Sequence, residues 1–75
     1  MRKLEKTYAN CGCLIRCIAI PLTDGGFFAE VEIMRYEDQA LLVGKTIVSS
    51  VPLESSSEAI ECARAWSVNW VRQNS

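Results

Sequence analysis

The residues best equipped for chemistry are four cysteines, at positions 11, 13, 17 and 62. Four thiolates is the ligand number of a tetrahedral zinc site. The C-x-C-x3-C spacing of the first three departs from the C-x2-C knuckle that wraps thiolates around a metal. A straight strand would also hold Cys11 and Cys17 about 20 Å apart. Neither a metal nor any other cofactor is therefore expected. A disulfide framework would need an oxidising compartment. The basic start (Arg2, Lys3, Lys6) is followed by Glu5, Thr7, Tyr8 and Asn10 rather than by the apolar run of a signal peptide. The chain is thus expected in the cytoplasm with its thiols reduced. Cys17 and Cys62 read as small buried hydrophobes, and Cys11 and Cys13 as less buried and open to oxidation.

Histidine is absent. That removes the usual general base, the usual partner of a serine or cysteine nucleophile and the commonest metal ligand. Paired-carboxylate chemistry needs two acids converging in a pocket. Glu30 and Glu32 project instead from one face of a strand, and Asp24, Glu37 and Asp38 fall in turns, where acids serve backbone geometry. Gly44-Lys45-Thr46 superficially matches the end of a phosphate loop. It lies inside a β run and lacks the upstream glycine and following helix that the P-loop requires. The expectation is a protein that is not an enzyme.

Charge narrows the partners. Eight basic side chains face nine acidic ones across 75 residues, for a net charge of −1, so no long-range field steers the chain to nucleic acid or an anionic membrane. No apolar run approaches the roughly 18 residues of a spanning helix. The hydrophobic fraction of 49% against 23% charged residues is that of a folding chain. Its length allows one domain, near the lower limit of independent stability, where a partner subunit adds most.

The elements that position these groups follow from local patterns. Residues 1–10 lack apolar periodicity and read as a flexible lead-in, with Tyr8 the residue that could join the sheet; residues 11–75 form the domain. Leu14 to Leu22 is rich in β-branched residues and carries a proline near its end, as strand ends do. Thr23-Asp24-Gly25-Gly26 separates it from a second strand, and Asp-Gly between apolar runs predicts a type I′ turn. Phe27 to Arg35 alternates: Phe27, Ala29, Val31 and Ile33 face the core, while Phe28, Glu30, Glu32 and Met34 face away. Ala40 to Val51 is the third strand, with Gly44 marking either a bulge or a break. Ser55 and Glu58 have the spacing of a capping box, with Ser56 an alternative cap. The following helix places Ala59, Ile60, Cys62, Ala63, Trp66, Ser67, Trp70 and Val71 on one stripe. The expected architecture is α+β: a three-stranded antiparallel meander closed by one C-terminal amphipathic helix, with Trp66 and Trp70 supplying much of the core.

With Gly12, Gly25-Gly26, Ala29-Glu30-Val31, Ser56, Glu58-Ala59 and Ala63-Arg64-Ala65-Trp66 in these places, the region from Gly12 to Arg72 resembles a family of small uncharacterised bacterial β-β-β-α proteins. That resemblance implies the fold and carries no activity. The Gly-Gly-Phe-Phe-Ala-Glu-Val segment is also similar to the start of HicB-type antitoxin domains, whose Pro-Gly loop and following β-α arrangement are missing here.

The functional expectation is a protein-interaction domain, with a homodimer as one form, using Phe28, Glu30, Glu32, Met34 and Tyr36 on the face that the helix leaves open. The alternative is a nucleic-acid-binding regulator using Arg2, Lys3, Lys6 and Arg16. Against it, the open face of the second strand offers acids where phosphate needs bases.

Overall fold

The computed structural model describes residues 3–74. Its elements are β1 (Leu4–Asn10), β2 (Cys13–Pro21), β3 (Phe27–Arg35), β4 (Leu41–Ile47) and α1 (Ser56–Asn74), and the four strands form one antiparallel sheet in the order β1-β2-β3-β4. The class is α+β with one C-terminal helix, but the sheet has four strands rather than three. The extra strand comes from the segment read as a lead-in: Leu4 to Asn10 pairs residue for residue with Ala19 to Cys13. Its own sequence is polar because it is an exposed edge. What makes it a strand is the ladder offered by β2.

The turn joining β1 to β2 explains that register. Asn10 pairs with Cys13, and both residues between them lie at positive φ, Cys11 at 49° and Gly12 at 78°. This is the type I′ geometry, whose twist matches that of the flanking strands. The same geometry was expected at Asp24-Gly25, and there the structure differs. Leu22 C=O accepts from Gly25 N–H (3.1 Å) and Leu22 N–H donates to Gly26 C=O (3.0 Å), with Gly25 at φ 89° and Asp24 on the ordinary side of φ. That is a type I turn followed by a left-handed glycine, the three-residue hairpin loop. A second glycine follows because Gly26, at φ 85°, has Leu53 C=O and Pro52 Cβ only 3.1 and 3.2 Å from where its own Cβ would sit.

β4 is the irregular edge. Val31 pairs with Thr46 and Ile33 with Val43, so Gly44 and Lys45 together oppose Glu32, and a second shift at Leu42 precedes the Met34–Leu41 pair. Gly44 therefore belongs to a bulge within one continuous strand. The strand stops at Ile47 rather than at Val51. Beyond it, Val48 N–H donates to Ala29 C=O and the Ser49 hydroxyl accepts from Ala29 N–H, both at 2.9 Å. Phe27 and Leu53 then exchange two backbone bonds of 2.8 Å.

Ser55 caps α1: its hydroxyl accepts from Glu58 N–H and its carbonyl from Ala59 N–H, each at 3.1 Å. The Glu58 carboxylate reaches back to Glu54 N–H (3.1 Å), one residue earlier than a standard capping box would have it. The buried line of the helix is Ala59, Ile60, Ala63, Ser67 and Val71, set on Ile15, Cys17 and Ala19 of β2 and on Ala29, Val31 and Ile33 of β3. Small residues at Ala19, Ala29, Ala59, Ala63 and Ser67 let helix and sheet approach closely. Trp66 and Trp70, expected to supply much of the core, are half-buried and pack against it. They lie on the side of α1 away from Arg64, which stacks its guanidinium 5.1 Å from the Tyr8 ring of β1. α1 thus packs chiefly on β2 and β3. Among the described residues no helix is long and apolar enough to cross a membrane.

Candidate functional site: the open face of the sheet

Residues directly opposite in an antiparallel ladder share a face, so the register assigns both sides of the sheet. The helix side carries Tyr8, Ile15, Cys17, Ala19, Ala29, Val31 and Ile33. The other side carries Glu5, Thr7 and Ala9 from β1, then Leu14, Arg16, Ile18 and Ile20 from β2. β3 adds Phe28, Glu30, Glu32 and Met34. β4 contributes Ile47 opposite Glu30 and Leu41 opposite Met34. Phe28, Glu30, Glu32 and Met34 therefore stand together as the alternation predicted. Tyr36 does not join them: it lies in the loop after β3, 67% exposed, and its N–H donates to Gly12 C=O at 2.9 Å.

The electrostatic centre of this face is Arg16, directly opposite Glu32. Its guanidinium donates to Glu32 Oε1 (2.8 Å) and, through Nε and Nη2, to Glu5 Oε2 (3.0 and 2.8 Å), tying three strands together. These two carboxylates hold the Arg16 guanidinium charged even more firmly than usual, with its hydrogen bond to Glu5 the largest cause. Glu32 keeps only 13% of its side chain exposed. Glu30 has no such donor: its Oε1 is shut off from solvent and without a hydrogen-bond partner. A buried acceptor left unpaired is costly, on the order of 1–3 kcal/mol.

Around these charges the face is apolar. Ile18 is only 2% exposed although it lies outside the helix-side core. Leu41 and Ile47 are exposed at 57% and 45%. Sequence reasoning found the β3 residues and missed Leu14, Ile18, Ile20, Leu41 and Ile47. The β4 pair was hidden by two register shifts. The β2 set was hidden because, apart from Arg16, that strand is apolar on both faces and has no alternation to read.

The residues grouped for nucleic-acid binding are not brought together. Lys6 pairs with Cys17 on the helix side, Arg16 is on the opposite face bound to two carboxylates, and Arg2 lies outside the described residues. Nor do the four cysteines form one cluster. Cys11 is exposed, Cys13 and Cys62 are half-buried and Cys17 is buried, all as free thiols. Burial pushes the Cys17 thiol up to about 11, with Glu61 adding to the shift and Arg64 opposing it. Among the described residues no three potential metal ligands cluster. Set beside protein-family models, curated proteins and solved structures, the chain matches none of them.

Proposed function

We propose that the chain is a non-enzymatic interaction domain that dimerises by packing the open sheet face of one copy on that of another. The observation that carries this reading is β2. A strand with one solvated face alternates apolar and polar residues, whereas one covered on both faces is apolar throughout. Apart from Arg16, β2 is close to the second kind, with Ile15, Cys17 and Ala19 on one side and Leu14, Ile18 and Ile20 on the other, yet α1 covers only the first.

Charge and size favour a second copy as the cover. The face has acids at its middle (Glu5, Glu30, Glu32) and bases in Arg16 and, within the bulge opposite Glu32, Lys45. Four strands about 4.8 Å apart and some eight residues long span roughly 19 × 26 Å, so two such faces remove about 1,000 Å² or more, the threshold of a specific interface. The resulting pair would be an aligned sandwich.

Sedimentation equilibrium at concentrations up to several hundred micromolar tests this. A dimer is expected, converted to monomer by Phe28→Glu with the circular dichroism spectrum retained. A wild-type monomer across that range, or a dimer indifferent to Phe28→Glu and Ile18→Glu, refutes it.

A further inference from the structure

A second feature lies on the helix side, remote from the face described above and independent of the dimer. Where the β1–β2 and β3–β4 turns meet the C-terminal end of α1, a cleft of about 520 Å³ opens, lined among others by Cys11, Cys13, Arg35, Leu42, Trp70 and Val71. Both cysteines of the Cys11-Gly12-Cys13 turn border it, and both are free. The turn shortens the backbone span between them. In an extended strand, residues i and i+2 stand nearly 7 Å apart, while Gly12 at φ 78° folds the chain back between them. Cys11 occupies a left-handed position where asparagine or glycine is at ease. Its presence there is strain accepted for the sake of a side chain.

We propose that Cys11 and Cys13 form a two-thiolate site for a soft monovalent cation, Cu(I), seated in this cleft. Soft thiolate donors select Cu(I), and two of them satisfy its linear coordination, whereas zinc needs four ligands. The walls suit the same ion. Leu42, Trp70 and Val71 are apolar and do not hydrate a hard cation. Arg35, whose Nη1 donates to Asp38 Oδ2 at 3.0 Å, and Glu37 also line the wall. Binding is a ligand exchange without redox change: two thiols and one Cu(I) give a bis-thiolate complex of charge −1 and release two protons.

The test is anaerobic titration of the full chain with Cu(I) supplied as its acetonitrile complex, read by competition with the chromophoric chelator bicinchoninate and by tryptophan fluorescence. One Cu(I) per chain is expected, with quenching that Trp70→Phe largely removes. Cys11→Ser and Cys13→Ser should each weaken binding at least ~100-fold, while Cys62→Ser leaves it unchanged; thermal melts confirm that each variant folds. Binding that survives both turn substitutions, that Cys62→Ser abolishes, or that bridges two chains at half stoichiometry overturns the proposal, as does preferential uptake of Zn(II).

Discussion

Replacing Ser67 with alanine should make the protein more stable. Ser67 is completely buried between α1 and the sheet, the sole polar side chain among the fully buried positions of the described residues, and its hydroxyl has no hydrogen-bond partner. An unsatisfied buried hydroxyl costs at least about 1 kcal/mol. Alanine also improves on serine in a helix interior by roughly 0.5 kcal/mol. Against these gains stands a void smaller than a methyl group, costing under about 0.5 kcal/mol because Ala63 and Val71 lie one turn either side. The net gain is about 1 kcal/mol, which for a domain of this size raises Tm by roughly 4–8 °C. Urea unfolding followed by circular dichroism, at one protein concentration so that association does not enter, measures the difference through the midpoint at constant slope. A midpoint unchanged or lowered would show that the hydroxyl is bonded to the backbone of α1, and that the tight helix–sheet seam does not explain a serine at this place. Ser67→Val separates the two cases further: it should be destabilising from overpacking alone, since Ser67 is already completely buried.

Cys11→Asn should stabilise the fold by about 1 kcal/mol, because asparagine accepts the left-handed conformation that Cys11 holds at φ 49°; a lower Tm would mean that the thiol contributes contacts of its own. Gly25→Ala and Gly26→Ala differ in space, not in φ: the first should cost about 1 kcal/mol, the second about 2 kcal/mol or more, since a Cβ at Gly26 meets the Leu53 carbonyl and Pro52, and equal losses in chemical denaturation would refute the close approach. In alkali, the Cys17 thiol stays protonated in the folded state up to about 11, against an ordinary value of 9.0, so the folded state binds the extra proton and its advantage is full below pH 9. That advantage fades as pH rises toward 11, by about 3 kcal/mol in all, and the difference between the wild-type and Cys17→Ala stability profiles should show this slope; parallel profiles would show that Cys17 is not desolvated.

What the sequence discloses, and what it does not, divides along one physical line. β3 and α1 are legible because each has one buried and one exposed side, so Phe27 to Arg35 alternates and Ser55 to Val71 repeats at helical spacing. β1 is not, because an exposed edge strand is chosen by its neighbour's ladder, and nothing in Leu4 to Asn10 distinguishes it from a polar tail. The turn misassignment has the same origin: Asp24-Gly25 is the stronger local signal for a type I′ turn, but Cys11-Gly12 adopts that turn because Asn10 and Cys13 are already paired. The indoles of Trp66 and Trp70 sit on the predicted stripe and still miss the centre, since a seam closed by Ala59, Ala63 and Ser67 leaves no depth for large rings. For β2 the missing alternation is itself information. Apart from Arg16, β2 is apolar on both sides, and α1 covers one of them. That the uncovered face also holds Glu30 with an unpaired oxygen makes the same point in polar terms. Two unrelated deficits, apolar area without a cover and an acceptor without a donor, fall on one surface, and a single partner would relieve both.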